Sequence, residues 1–296
     1  MRKHDERVPR REFLSRAGIA PLLAATPSLG FSPQESRPTA WKKAVKLGMV
    51  REKLPLSGKF RLLKELGFDG VELSSPNRLE TREVLEARDA AGLPIHGVVD
   101  SVHWKVALSD PDPEVRRKGV EGLRTALRDA KSYGASTVLL VPAKVTASVR
   151  YDQAYERSQA EIRKVLPLAA ELGVRIALEN VWNNFLLSPL ETARYIDEFE
   201  SPWIGAYFDV GNVVKYGWPG HWIRILRKRI LKVDIKEYSH RKRFDVPLLQ
   251  GDCNWPAVMK SFAEIGYAGW ATAEIRGGDR KRLAEIAGRM DRIFAS

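Results

Sequence analysis

The chain has a single cysteine, Cys253, in 296 residues. An intrachain disulfide and a cysteine-rich zinc site are therefore excluded. A long hydrophobic run is also missing: the uncharged stretch near the start, Ala17 to Ala25, is too short to span a bilayer comfortably. No Gly-x-Gly-x-x-Gly follows an early strand-like segment, which removes the phosphate-binding signature of a dinucleotide fold. Histidine is scarce as well, five in all.

What is present is enough for one large core, with 44% hydrophobic and 29% charged residues. A barrel of alternating strands and helices commonly reaches this length as a single domain. The formal net charge is +12, which permits nucleic acid, acidic lipid or anionic substrates as partners. The basic residues are scattered among acids on helical stretches, however, and read as a solvated surface. At the amino terminus, Pro9-Arg10-Arg11-Glu12-Phe13-Leu14 followed by the apolar run resembles a twin-arginine export signal. Residues 1–32 are read as that signal, 33–44 as a linker carrying Pro33 and Pro38, and 45–296 as the folded domain. The expected partner of the first segment is the twin-arginine export machinery, and the expected location is periplasmic or extracellular. Stable membrane insertion is expected only if the signal is retained.

From Val45 onward, short apolar runs alternate with longer segments of helical period, the signature of repeated strand–helix units on a parallel sheet. Eight runs qualify: Val45–Val50, Phe68–Leu73, Pro94–Val99, Thr137–Val141, Val174–Glu179, Trp203–Asp209, Ile230–Lys236 and Gly269–Ile275. Helical segments separate them, among them Pro113–Tyr133, Tyr151–Leu172 and Arg280–Phe294, and several end just before a glycine, as at Tyr133-Gly134 and Leu172-Gly173. Eight such units in roughly 250 residues predict an α/β TIM barrel, with a doubly wound sheet as the alternative.

A barrel builds its active site from the C-terminal ends of its strands. Those ends supply Glu72, Asp100 with His103 and Trp104, Glu179 with Asn180, Asp209 with Asn212, Asp234 with Lys236, and Glu274 with Arg276. Four carboxylates, Glu179, Asp209, Asp234 and Glu274, thus converge from the fifth to eighth strands. Like charges in a partly dry mouth repel one another strongly unless a divalent cation offsets them. An all-oxygen set favours Mg²⁺ or Mn²⁺, whereas a histidine in the set would favour Zn²⁺, Co²⁺ or Mn²⁺.

At these residues the chain resembles the sugar phosphate isomerase/epimerase superfamily, the xylose isomerase-like TIM barrels that include the ketose 3-epimerases. The resemblance is carried by Phe68-Asp69-Gly70-Val71-Glu72-Leu73, Ala177-Leu178-Glu179-Asn180, Phe208-Asp209-Val210-Gly211-Asn212, Val233-Asp234-Ile235-Lys236-Glu237, Gly251-Asp252-Cys253-Asn254-Trp255 and Ala273-Glu274. It implies that Glu179 and Glu274 are both metal ligands and the paired acid/base groups on opposite faces of a keto sugar, with Asp209 as a third ligand. The family's fourth ligand is usually a histidine in a His-x-Lys-Asp segment where this chain has Asp234-Ile235-Lys236-Glu237, and its Asp-x-x-His is here Asp209-Val210-Gly211-Asn212. Aspartate in place of imidazole hardens the set and adds negative charge. Asn212 can hydrogen-bond a hydroxyl but cannot carry a proton at neutral pH.

The chemistry implied is proton removal next to a carbonyl through an enediolate, with the cation lowering its energy. Returning the proton inverts or isomerises, and expelling a substituent makes the same site a lyase or hydratase acting on 3-keto-glycosides. Trp104, Trp182 and Trp218 offer indole faces to a sugar ring. Glu72, His103, Asn180, Asn212, Lys236 and Arg276 complete the substrate-contact candidates. His96 reads as core, while His221, His240 and Arg241-Lys242-Arg243 read as surface. Cys253 reads as inert. A nucleic-acid repair endonuclease on the same barrel would need a histidine-rich metal cluster, which the strand ends do not supply. A noncatalytic sugar-binding barrel and a homo-oligomer are left open.

Overall fold

Eight parallel strands pair in chain order and close on themselves: β1 (Trp41–Lys46), β2 (Gly70–Ser75), β3 (Ile95–Asp100), β4 (Thr137–Leu140), β5 (Arg175–Glu179), β6 (Ile204–Asp209), β7 (Ile230–Ile235) and β8 (Gly269–Ala273), with β8 pairing back to β1. This computed structural model describes residues 41–296. The expected signal at residues 1–32, and the linker as far as residue 40, lie outside them. Helices follow the strands on the outside: α1 (Leu56–Glu65), α2 (Thr81–Ala91), α3 (Pro113–Tyr133), α4 (Tyr151–Arg163), α5 (Leu166–Leu172), α6 (Pro189–Asp197), α7 (Val210–Val214), α8 (Pro219–Leu226), α9 (Trp255–Glu264) and α10 (Arg280–Phe294). Among the described residues no helix is long and apolar enough to cross a membrane. The TIM barrel read from the sequence is the fold observed.

The strands read as continuous apolar runs because each is covered on both faces. Val71, Val98, Val138, Ile176, Phe208 and Val233 join helix residues such as Leu63, Val84, Leu123 and Met290 in one large core. A second, small cluster of Leu139, Ala177 and Tyr207 is separate from it. Buried polar groups, among them Glu72, His96, Lys232 and Thr272, take up much of what is left. Gly97 shows how tight this interior is, since a Cβ there would stand 2.8 Å from Glu72 Oε1.

Local rules account for most boundaries. Asp112 caps α3 by accepting from the Glu114 amide at 2.8 Å, with Pro113 at the first helical position. Gly134 then ends α3 at φ 80°, a conformation that glycine adopts without strain.

Three elements differ from the sequence reading. The first strand occupies Trp41–Lys46 rather than Val45–Val50, and Leu47–Met49 form a 3-10 turn. Its lysines hid it, and the partner that holds Lys43, Asp291 at 2.6 Å, is remote in sequence. The expected helix Tyr151–Leu172 is broken between Arg163 and Leu166, because Pro167 has no amide hydrogen to donate back and clashes with the preceding turn. The short α7 was not expected; Asp209 caps it through the Asn212 amide at 2.8 Å.

Asp100, a strand-end candidate, sits against α3 with Oδ1 near Gly122, and accepts from the Val102 amide at 3.1 Å. Burial pushes its carboxyl up to about 7, with the Val102 bond opposing. A raised folded-state value means that its stabilising contribution is complete below about pH 4 and is lost as pH rises through about 7. An asparagine side chain at this position would keep the amide bond without the charge. Asp100→Asn is expected to match the wild type near pH 4 and to exceed its unfolding free energy by on the order of 2 kcal/mol at pH 8, measured by denaturant titration.

Candidate metal centre

Parallel pairing brings the last residues of neighbouring strands to one level, with Asp209 opposite Asp234 and Glu179 opposite Tyr207. One carboxylate oxygen from each of Glu179, Asp209, Asp234 and Glu274 lies within 4.8 Å of the others. Glu179, Asp209 and Asp234 are buried, and Glu274 is partly so.

Two lysines enter this acidic set. Lys236 Nζ lies 2.9 Å from Asp209 and 3.2 Å from Glu274 Oε1. Lys46 Nζ lies 3.0 Å from Glu274 Oε2, 3.2 Å from Asp234 Oδ2 and 3.7 Å from Glu72 Oε2. Burial pushes Glu179 well up, and Glu274 adds to the effect; burial likewise raises Asp234 and Asp209. Glu274 goes the other way. Burial alone would raise it, but Lys46 and Lys236 outweigh burial and hold it well below the usual carboxylate range.

The set suits a divalent cation on two observations. Asp234 Oδ1 is buried without a hydrogen-bond partner. Four carboxylates against two lysines leave two negative charges, which one such ion would neutralise. The donors are all oxygen, the chemistry that hard cations prefer.

The other candidates fall into two groups. At the mouth, Glu274, Lys236, Arg276 and Phe244 line a cavity of about 440 Å³, within the usual range for small ligands. His103 is buried, and its Nδ1 accepts from the Val141 amide at 3.3 Å. Burial, with Lys46 adding, lowers it to about 4, so it is neutral at physiological pH. Trp104 stands edge-on to His103 at 5.7 Å and is 46% exposed. Trp218 is farther out and more exposed, beside His221.

The second group supports the mouth. Asn180 spends its whole amide on backbone and Asn212 its nitrogen: Asn180 Nδ2 donates to Asp209 O at 2.9 Å, Asn180 Oδ1 accepts from Asp209 N at 2.8 Å, and Asn212 Nδ2 donates to Asn180 O at 2.9 Å, while Asn212 Oδ1 accepts from Lys236 Nζ at 3.4 Å. They tie β5 to β6 and so fix Glu179 against Asp209. Trp182 joins three loops. Its Nε1 donates to Asn212 O at 2.9 Å, Lys215 lies 4.3 Å and Arg243 5.6 Å from its ring, and Phe244 packs at 4.6 Å. Little of its ring is left for a sugar. Glu72 is buried in the barrel, accepting from Tyr207 at 2.9 Å, where it supports Lys46.

Sequence reasoning missed Lys46 and Glu237. Reading β1 four residues late removed Lys46 from the strand-end list. The buried Glu237 carboxylate collects four donors: the amides of Tyr238, Leu249 and Cys253 at 3.2, 2.8 and 3.1 Å, and Trp255 Nε1 at 2.9 Å. It ties down the loop between β7 and α9, and with it Lys236 and Phe244. His96 is buried as expected; Cys253 is buried too, and burial pushes its thiol well up, away from the reactive thiolate.

A closed parallel barrel with an acidic cluster at the strand ends defines the class: a TIM barrel with a candidate divalent-metal centre. Residues 60–293 match the profile of the xylose isomerase-like TIM barrel family, and the chain belongs to that family. An L-ribulose-5-phosphate 3-epimerase from Escherichia coli O1:K1 is 24% identical over 245 residues, covering 77% of this chain and 86% of the relative. Among solved structures, a D-tagatose 3-epimerase-like protein aligns with TM-score 0.74 and 20% identity over 86% of this chain and 97% of its own. A 3-keto-D-glucoside 4-epimerase from E. coli aligns with TM-score 0.71 and 17% identity over 86% and 100%.

Glu237→Gln leaves one acceptor oxygen where there were two, and places an amide donor against other donors. The variant is expected to lose about 2 kcal/mol of stability. Faster hydrogen exchange confined to residues 238–254 is the accompanying sign; unchanged exchange there would refute the role given to Glu237.

Proposed function

We propose that the protein is a sugar epimerase or isomerase that depends on a divalent metal, Mn²⁺ or Mg²⁺ before Zn²⁺ or Co²⁺, and acts by proton transfer next to a carbonyl. The observation that carries this reading is the convergence of Glu179, Asp209, Asp234 and Glu274, with Glu179 and Glu274 poised oppositely toward protons. Membership of the family and the printed activities of the relatives support it. A bound cation, held by these four carboxylates, would supply Lewis-acid polarisation that makes the neighbouring C–H acidic.

The chain's own groups do the rest. Glu274, held ionised by Lys46 and Lys236, accepts a carbon-bound proton. Glu179, whose proton affinity burial and Glu274 raise, is the partner that returns a proton to the other face. The ammonium of Lys236 lies beside both Asp209 and Glu274 and faces negative charge developing on the sugar oxygens. Trp104 and Phe244 border the mouth, where a sugar's C–H face can rest. Delivery to the same carbon epimerises; delivery to the neighbouring carbon isomerises.

A second reading is a lyase or hydratase acting on 3-keto-glycosides. It is favoured by Asn212, whose amide is tied to backbone where the family usually carries a proton-bearing histidine. The paired arginines Arg10 and Arg11 support export by the twin-arginine route, so that the substrate is met outside the cytoplasm.

Purified protein with Mn²⁺ is expected to convert a free ketose or a 3-keto-glycoside, read as a product change by NMR in D₂O with deuterium entering at the reacting carbon. Glu179→Gln and Glu274→Gln should each lower turnover by about a thousandfold or more with the fold retained. Full activity in either variant would remove that residue from proton transfer, and conversion of the 3-keto-glycoside alone, with loss of a substituent, would select the lyase.

A further inference from the structure

The charge of the cluster is the starting point. Aspartate at the end of β7 makes the set four carboxylates, Glu179, Asp209, Asp234 and Glu274, and one divalent cation supplies only half of the positive charge needed. Lys236 and Lys46 supply the other half, and they differ in where they stand. Lys236 follows β7 and bridges Asp209 and Glu274 across the mouth. Lys46 ends β1 and touches Asp234, Glu274 and Glu72. Glu72 is not one of the four, so the Lys46 ammonium flanks the cluster on the β1–β2 side. Asp234 keeps one oxygen, Oδ1, without a partner. The side chain of Lys46 is 19% exposed, and that of Glu72 is fully buried, so neither charge is screened by much water.

We propose that Lys46 sets the charge of the metal centre: a fixed ammonium that shares Asp234 and Glu274 with the divalent cation, and offsets the charge that Asp234 brings. This rests on reading the four carboxylates as a metal centre. Lys46 is a positioning residue, acting on the ligands. It limits metal affinity, since two cations would share the same two carboxylates. In return the Lys46 ammonium brings the loaded centre closer to neutral, so that negative charge arising on a bound sugar adds to a smaller excess. The Asp234–Lys46 pair thus takes the place of a neutral ligand.

The test needs no substrate. Metal-free wild type, Lys46→Met, Lys46→Arg and the double variant Lys46→Met/Glu72→Gln are titrated with Mn²⁺ by isothermal calorimetry. The double variant removes the opposite charge as well, and guards against a Lys46→Met protein that fails to fold around an unpaired Glu72. Both variants lacking Lys46 are expected to bind Mn²⁺ about tenfold or more tightly than the wild type. Lys46→Arg should stay within about threefold of it, because the charge remains. A lysine that merely filled space or propped the strand would give weaker binding on removal. Equal or weaker Mn²⁺ binding without Lys46 overturns the proposal. Failure of the wild type to bind Mn²⁺ overturns it together with the metal centre, whereas Mn²⁺ binding without turnover of any sugar counts against the proposed function alone.

Discussion

Crowding of like charge is the constraint on which the rest of the structure depends. Carboxylate oxygens within 4.8 Å of one another repel by on the order of 3 kcal/mol per pair at an effective dielectric near 20. Four such groups stay together only if the fold pins them and cations offset them. The barrel does the pinning. Each acid sits at a strand end whose backbone is bonded on both sides, and strands five to eight are consecutive neighbours. The barrel also allows little relief by movement, because its interior is filled by Leu139, Ala177, Tyr207 and buried polar groups rather than by solvent.

Around the cluster, much of the polar chemistry near the mouth holds backbone. Asn180 and Asn212 lock β5 to β6, Glu237 gathers four donors from the loop after β7, and Trp182 packs three loops together. Each of these residue types is equally at home in a sugar site, which is why sequence alone assigns Asn180, Trp182 and Asn212 to substrate. The difference lies in what their polar atoms already touch. Asn180, bonded at both ends to main chain, and Asn212, bonded to main chain at one end and to Lys236 at the other, have little capacity left for a hydroxyl.

The barrel and the four acids were legible in the sequence for a common physical reason. Strands buried on both faces must be continuously apolar, and a carboxylate that ends such a run has nowhere to go but the rim. Val174 to Asn184 shows this plainly, with Glu179 closing β5 and Asn180 beginning the loop. The first strand was less legible because Lys42, Lys43 and Lys46 interrupt its apolar pattern. The carboxylates that hydrogen-bond the ammonium groups of two of the three are Asp291, Asp234 and Glu274, all more than 180 positions away. Misplacing that strand by four residues also concealed Lys46 as a strand-end residue. The break before α5 was legible in principle from Pro167, whereas α7 was not, since one turn capped by Asp209 leaves no periodic trace.

Topology also explains why two glutamates of one kind behave differently. In the closed barrel β8 lies between β1 and β7, and each of these strands ends in a lysine or is followed by one. Glu274, just after β8, therefore has Lys46 on one oxygen and Lys236 on the other. β5 lies between β4 and β6, which end in Leu140 and Asp209, so Glu179 gains an acidic neighbour and no direct ammonium contact among the described residues. Burial and Glu274 then raise Glu179 against the opposing pull of Lys46 and Lys236, while the same two cations, in direct contact with Glu274, hold Glu274 down. Two carboxyls of one residue type thereby differ in proton affinity because of their places in the strand order.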